Sequence, residues 1–332
     1  MNIDNEPNSG TPENPNERNL TRPKRRDLVT FTDEPQAKPV SARRKKTRLA
    51  KGGMFFGERD RLIIEFVAAH GWLDIEQISR FIGNVSVDAL RQSIRRLVEH
   101  QLLDDRCSGF RNQSLYTATA FGLRKANLQG FNSNVTPRMQ SIEHSDAITA
   151  LHLHFISETR NSPNASYLTE REMNAALASG VMPPRILRRS PWSAQYTNFD
   201  AWVPNTVTSK GKATTKRPDG LFLNVKDGLA QPPIPVEVER NLKSRKDYYQ
   251  QALLLFAAAA QAGGLSSTVF FYSPSHDRTL HNLRKAIDDV LGSKNGFIWP
   301  RNLPQVNCQI DDLDTFFTPF SVSHNWLPRR TG

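Results

Sequence analysis

The architecture of the first folded part of this chain is indicated by residues 75–101, IEQISRFIGNVSVDALRQSIRRLVEHQ. Apolar residues recur there every three or four positions, which predicts two helices with Asp74 and Ser86 as their N-caps. A Gly-Asn pair predicts the turn between them. An amphipathic helix that begins after Gly57 comes first, so the order is that of a helix-turn-helix. We expect the last helix to bury Val87, Leu90, Ile94 and Leu97 and to expose Arg91, Gln92, Arg95 and Arg96.

A predicted β-hairpin follows this helix in residues 102–122, LLDDRCSGFRNQSLYTATAFG. Three helices and a hairpin that ends in an aromatic-Thr step resemble bacterial winged-helix domains over about residues 57–128. We therefore predict a winged helix-turn-helix DNA-binding domain over residues 54–130. Its candidate DNA-binding residues are Arg91, Gln92, Arg95, Arg96, Arg106, Arg111 and Asn112. A role in protein interaction stays open, because winged helices also serve that purpose.

The N-terminal segment, residues 1–53, is predicted to be a disordered basic arm. Residues 18–51 carry twelve Lys/Arg and three acids in a chain whose net charge is +11. The segment has no apolar periodicity and too little apolar surface to order itself. We expect Arg43, Arg44, Lys45 and Lys46 to contact DNA phosphates; a solubilising tail is the alternative.

The whole-chain composition favours an intracellular protein with two folded units. The chain has 332 residues, of which 38% are hydrophobic, and its two cysteines show no zinc or disulfide spacing. The longest apolar stretch, residues 252–262, is too short to span a membrane, and the N-terminus lacks the pattern of a signal peptide. We expect a cytoplasmic protein without a membrane partner.

A second domain with a mixed sheet is predicted over residues 138–292, followed by a C-terminal extension over 293–332. Helical and strand patterns alternate there, which is typical of an α/β or α+β fold. His152 and His154 fall within the first helix and are expected to be partly buried surface histidines. The predicted elements are the helix IEHSDAITALHLHFISET, the strands SYLTEREM, RPDGLFLNV and IPVEVER, a helix from about Lys243 to Ala262, the strand STVFFYS and the helix DRTLHNLRKAIDDVLG.

Three carboxylates lie on two of these predicted strands. Asp219 follows Pro218 at a strand start, and Glu237 and Glu239 alternate with valines, so both glutamates should share one face of the sheet. A hairpin through the predicted turn at residues 226–228 would bring the two strands side by side. Converging carboxylates form the kind of oxygen site that Mg²⁺ needs in phosphodiester hydrolysis.

This arrangement resembles the PD-(D/E)xK nuclease motif, with Glu239 where the motif has Lys. His144, RPDGLFLNV, VEVERNLKS and the tyrosine pair at 248–249 also resemble the bacterial replication-relaxation family and MOBC-type plasmid mobilization relaxases, over most of residues 57–292. The resemblance implies nicking at a transfer origin with Mg²⁺ or Mn²⁺ held by Asp219 and Glu237. Lys243 or Lys246 could take the role of the missing Lys.

Three functions stay open at this point. The first is a metal-dependent nickase or mobilization protein that recognises a plasmid or integrative-element origin. The second is a non-catalytic DNA-binding regulator that keeps a degenerate nuclease fold. The third is a protein-interaction adaptor. The partners implied by the first are double-stranded DNA, single-stranded DNA at the origin and other mobilization proteins.

Overall fold

The computed structural model describes residues 55–108, 113–133, 135, 139–158, 164–203, 205–207, 213–215, 217–240, 247–274, 278–292 and 298–313. Within them the chain forms a mixed α/β structure with a mixed sheet, which confirms the coarse fold class predicted from the sequence. No helix in this described part is long and apolar enough to cross a membrane.

Three helices, a hairpin and a short helix form the first part of the structure. The caps are as predicted: the Asp74 carboxylate accepts from the backbone N–H of Gln77, and the Ser86 hydroxyl accepts from that of Ala89. Gly71, at φ 86°, ends the first helix in a conformation that side chains other than glycine rarely adopt. The elements are α1 (Glu58–His70), α2 (Ile75–Ile82), α3 (Val87–Glu99), the antiparallel pair β1 (Leu103–Ser108) and β2 (Gln113–Ala118), and α4 (Ala120–Lys125).

The apolar faces of these helices share one core. Leu90, Ile94 and Leu97 of α3 are buried in it, as their spacing predicts. The prediction for Val87 is wrong: its side chain is 44% exposed and lies outside the core cluster. Its neighbours Ser86 and Asp88 are exposed as well, so the first turn of α3 stands outside the core.

The second part of the structure alternates helices and strands. Two 3-10 helices, Pro191–Gln195 and Phe199–Trp202, lie between α7 and β4. The elements are α5 (Met139–Glu158), β3 (Ala165–Thr169), α6 (Glu170–Ser179), α7 (Pro184–Arg189), β4 (Asn205–Val207), β5 (Ala213–Thr215), β6 (Gly220–Lys226), β7 (Leu229–Ala230), β8 (Ile234–Val238), α8 (Asp247–Gln261), β9 (Thr268–Ser273), α9 (Thr279–Leu291) and β10 (Asn307–Asp312).

The main sheet has the strand order β10-β9-β8-β6-β3, and β7 pairs with β6. Strands β8, β9 and β10 are parallel, whereas β6 runs antiparallel to both β8 and β3. The turn predicted between β6 and β7 is confirmed, with Asp227 and Gly228 at positive φ. β10 lies beyond residue 292, so the sheet continues into the predicted C-terminal extension.

Each face of the sheet packs against different helices. Val236 and Val238 of β8 pack in a cluster with Leu151 and Phe155 of α5. The opposite face carries Leu221 and Phe271, which share a larger core with α8 and α9. Because side chains alternate along a strand, Glu237 belongs to this second face, where its strand partner is Phe271.

The segment predicted as the strand SYLTEREM differs in its second half. The strand ends at Thr169, and α6 begins at Glu170. Thr169 and Glu172 form a capping box, in which each side chain accepts a hydrogen bond from the other's backbone N–H. Between this segment and the predicted strand RPDGLFLNV, where the sequence predicts no further element, the structure contains α7, the two 3-10 helices, β4 and β5.

The helices around α3 are joined to the sheet by hydrogen bonds at the end of α1. The Thr169 hydroxyl donates to the carbonyl of Ala69 at 2.7 Å, and the Arg171 guanidinium donates to that of Ala68 at 2.9 Å. These carbonyls belong to the last turn of α1, where no partner exists within the helix. The start of α6 therefore caps the end of α1.

A buried histidine pair lies at the same junction. His70 Nε2 and His152 Nδ1 are 2.8 Å apart, and the Thr149 hydroxyl is 3.1 Å from His70 Nδ1. Thr149 donates its proton to the Ser145 carbonyl, so His70 Nδ1–H donates to Thr149 and His152 Nδ1–H donates to His70. His152 is fully buried, which corrects the prediction of a partly buried surface position, whereas His154 is partly buried as predicted.

Candidate functional site

Helix α3 presents a polar face opposite its buried leucines and isoleucine. Arg91, Gln92, Arg95 and Arg96 are all exposed, as their spacing predicts. Arg91 pairs with Asp88 at 3.0 Å, and both side chains are largely in solvent, at 61% and 84% exposure. Exposed pairs of this kind contribute little to stability, so the Arg91 guanidinium can exchange its partner for another anion at low cost.

Arg96 is held differently from the other arginines of α3. Its Nη2 donates to both oxygens of Asp60 at 2.6 and 2.8 Å, and Asp60 is only 2% exposed. The Asp60 carboxylate also accepts from the backbone N–H of Gly57, which precedes α1. Arg96 therefore ties α3 to the start of α1, while its side chain stays 44% exposed.

The hairpin contributes one described candidate. Arg106 on β1 is exposed and pairs with Asp104 at 3.0 Å. Burial raises the pKa of Tyr116 on β2, and the charge of Asp105 raises it further. The charge of Arg91 opposes this rise, so the Arg91 side chain lies near β2. Eight further candidates lie outside the described residues: Arg111, Asn112, Arg43, Arg44, Lys45, Lys46, Lys243 and Lys246.

The predicted carboxylate site lies where β6 begins and β8 ends. Asp219 Oδ2 accepts from the backbone N–H of Val238 at 2.8 Å, and Oδ1 lies 3.2 Å from His144 Nε2 on α5. Glu237 and Glu239 flank Val238 in sequence, so all three carboxylates belong to one end of the β6–β8 pair. Both glutamates are only 2% exposed, whereas Asp219 is 18% exposed.

Further polar side chains surround Asp219. Burial raises the pKa of Glu170, the charge of Asp219 raises it further, and Arg217 and His144 oppose the rise. Burial also raises the pKa of Tyr167 well above its usual value, and Asp219 contributes to the shift. The Tyr167 hydroxyl lies so close to Gly220 that a Cβ there would come within 2.1 Å of it. A glycine is therefore required directly after Asp219.

These residues fit a divalent cation in part. Carboxylate oxygens are the ligands that Mg²⁺ and Mn²⁺ prefer, and Mg²⁺ often takes only one or two of them from the protein. Asp219 and Glu237 could supply two. Among the described residues, however, no group of three or more His, Cys, Asp or Glu side chains is arranged to hold a metal ion.

Comparison with protein-family models, with curated proteins and with solved structures finds no match for this chain. The candidate sites therefore rest on their residues alone. Sequence patterns missed two residues that position the candidate sites. Asp60 holds Arg96 of α3, and Tyr167 packs against Gly220, next to Asp219. Asp60 is an acid in the first turn of α1, where such residues are common as helix caps, so sequence alone could not single it out.

Proposed function

We propose that this chain binds double-stranded DNA in a sequence-specific manner, with α1–α3 and the β1–β2 hairpin acting as a winged helix-turn-helix. The observation that carries the proposal is the two-sided character of α3. Leu90, Ile94 and Leu97 anchor one side in the core, while Gln92 and Arg95 extend from the other. Arginine and glutamine are the side chains best suited to bidentate contacts with guanine and adenine in the major groove.

The charge of the chain supports the same proposal. The net charge is +11, and twelve Lys/Arg between residues 18 and 51 precede the helices directly. Contacts between such an arm and phosphates release counterions and raise affinity without distinguishing sequences. A division of labour follows, in which the arm supplies affinity and α3 supplies preference.

Selection from a random duplex library with the full chain tests this proposal, followed by affinity measurements over a range of salt concentrations. We expect an enriched sequence, and we expect Arg95→Ala to weaken binding to it. Arg301→Ala is the matched control, because Arg301 is an exposed arginine outside α3 and the hairpin. If no sequence is enriched, or if the two variants behave alike, α3 does not read DNA.

The likeness of RPDGLFLNV and VEVERNLKS to replication-relaxation and MOBC-type proteins supports a more specific role. We propose that the DNA site is an origin on a plasmid or integrative element. The chain would act there as a mobilization or replication-relaxation protein. Its partners would then include single-stranded DNA exposed at the origin and other mobilization proteins.

Divalent-cation-dependent nicking of that site is the second candidate function. The observation that favours it is the Asp219 carboxylate beside the Glu237-Val238 peptide, at the end of two paired strands. Asp219 and Glu237 would hold the cation, and the cation would supply charge stabilisation and an activated water. Lys243 and Lys246 follow Glu239 closely in the sequence, and one of them would take the role of the motif's Lys. The alternative is a regulator that binds DNA without cleaving it.

Supercoiled plasmid that carries the selected sequence distinguishes the two. With Mg²⁺ or Mn²⁺ present, nicking would produce open circles, and Asp219→Asn should abolish it while DNA affinity stays unchanged. Intact plasmid with both cations, together with a clear footprint, would assign the chain to the non-catalytic regulators.

A further inference from the structure

The first residue of α3 is an exposed valine that lies outside the hydrophobic clusters of the described structure. Val87 is 44% exposed and belongs to no hydrophobic cluster of the described structure, although Val85 and Val98 on either side of it pack against the core. Valine also has a lower helix propensity than alanine. Neither packing nor helix formation therefore explains a valine at this position.

Val87 begins a row of exposed side chains along α3. Residues four apart lie on the same side of a helix, so Val87, Arg91 and Arg95 form one continuous row. Asp88, beside this row, pairs with Arg91. The row thus combines one branched apolar group, at the N-terminal end of the helix, with two guanidinium groups. In helix-turn-helix proteins, the N-terminal residues of the recognition helix are those that contact base edges.

We propose that Val87 is a specificity-determining residue that contacts the 5-methyl group of a thymine in the DNA site. This inference rests on the proposed DNA binding by α3 and identifies one base of its site. The thymine methyl is the apolar group of the major groove, and small apolar side chains recognise it by direct contact. An isolated valine with charged neighbours presents one small apolar contact, which matches a single methyl group.

Uracil provides a test at the level of single atoms, because it differs from thymine only by the missing methyl. Each thymine of the selected duplex is replaced in turn by uracil, and affinities are measured with the full chain. At one position the wild type should lose about fourfold in affinity, the value expected for one buried methyl-sized group. Val87→Ala should bind the thymine and uracil duplexes equally at that position.

Two further variants complete the design. Val181→Ala removes a comparably exposed valine, 52% exposed, from the turn after α6 and should keep the full thymine preference. Val87→Thr keeps the side-chain shape and one methyl, so it should retain part of the preference. Alanine and threonine are both tolerated in the first turn of a helix, so the variants should fold like the wild type.

The outcomes separate the inference from the function on which it rests. If a sequence is enriched but no thymine is sensitive to uracil, or if Val87→Ala keeps the sensitivity, the thymine contact is wrong while DNA recognition by α3 stands. If no sequence is enriched at all, the proposed function fails, and the contact fails with it.

Discussion

Two ion pairs in this structure have the same chemistry and opposite surroundings. Arg91 and Asp88 pair on α3 with side chains 61% and 84% exposed. Arg185 and Glu172 pair beneath the edge of the main sheet with side chains 7% and 2% exposed. Water solvates the first pair whether or not it forms, whereas each member of the second would be a buried charge without its partner. The comparison shows that the charges on α3 remain accessible to solvent and solutes, whereas the charges under the sheet stabilise internal order.

The buried pair is also held by three hydrogen bonds from Arg185. Arg185 donates from Nε and Nη2 to the two Glu172 oxygens at 2.8 and 2.7 Å, and Nη2 also donates to the Tyr167 carbonyl. Glu172 completes the capping box of α6 with Thr169. A network of this kind ties β3, α6 and α7 together, and it is costly to break at one point.

The largest effect is therefore expected from Arg185→Met, which leaves Glu172 buried without its partner. The free energy of unfolding should fall by roughly 3–5 kcal/mol. Urea denaturation followed by circular dichroism measures it. Arg91→Ala is the matched control and should cost about 0.5 kcal/mol or less. Similar costs for the two variants would remove the distinction between the two pairs.

The buried histidine pair is expected to make the stability of the fold depend on pH, which tests the buried side of the comparison between buried and exposed pairs. Burial lowers the pKa of His70 to about 3, with help from Arg185 and Arg171. Burial also lowers the pKa of His152 well below its usual value, with help from Arg185 and His70. Both histidines are thus neutral when folded and gain protons below about pH 6.5 when unfolded, so stability is complete above pH 7 and falls with acid.

Each histidine should cost roughly 2 kcal/mol of stability between pH 7 and pH 5. His152→Asn, which keeps a donor near the Nδ1 position, should reduce the loss by about that amount. Unfolding free energies of the variant and the wild type at both pH values give the difference. This difference cancels the contributions of acids whose pKa is raised by burial, such as Glu65 and Glu170. Parallel pH profiles would mean that His152 is not buried in its neutral form.

The two arginines at the end of α3 should differ in DNA binding. Arg95→Ala should weaken binding by about 1–3 kcal/mol if it contacts a base, or reduce the salt slope by about 0.9 if it contacts a phosphate. Arg96→Ala should mainly lower the stability of the fold, because Asp60 loses its partner. If Arg96→Ala changes the salt slope as much as Arg95→Ala does, Arg96 contacts DNA in spite of its pairing with Asp60.

The smallest effect is expected from Asp88→Asn, which removes the negative charge of the exposed Arg91–Asp88 pair. Stability should change by less than about 1 kcal/mol, since the charge favours the N-terminus of α3 only weakly. DNA affinity should rise, because the variant removes a negative charge beside Arg91. Thermal unfolding and DNA titration at low salt measure both quantities. A fall in affinity would indicate that Asp88 itself contacts a base.

The sequence predicted the helices correctly where the spacing of apolar residues follows directly from their burial. Leu90, Ile94 and Leu97 follow the period of a helix, and the caps Asp74 and Ser86 follow local hydrogen-bonding rules. The same helical period placed Val87 in the core wrongly, because periodicity does not reveal where a helix leaves the core. Local rules therefore predict the elements better than the ends of their buried faces.

Other differences arose where local and long-range signals compete. Thr169 and Glu172 carry the spacing of a capping box, which favours a helix start, but the β-type residues before them favoured a longer strand. The burial of His152 depends on His70, 82 positions away, and no local pattern reports such a contact. The positions of Asp219 and Glu237 at one end of paired strands were predictable, since a turn signal and two strand patterns agree.

The capping of α1 by α6 has a consequence for how this protein is made. The Thr169 hydroxyl that binds the Ala69 carbonyl lies 100 positions further along the chain. A ribosome that adds about 5–20 residues per second needs roughly 5–20 seconds to synthesise that interval. An isolated helix of 13 residues is only marginally stable in water, so α1 gains little from its own backbone hydrogen bonds during this interval. The final hydrogen bonds at the C-terminal end of α1 therefore form only after residues 169–171 have been synthesised.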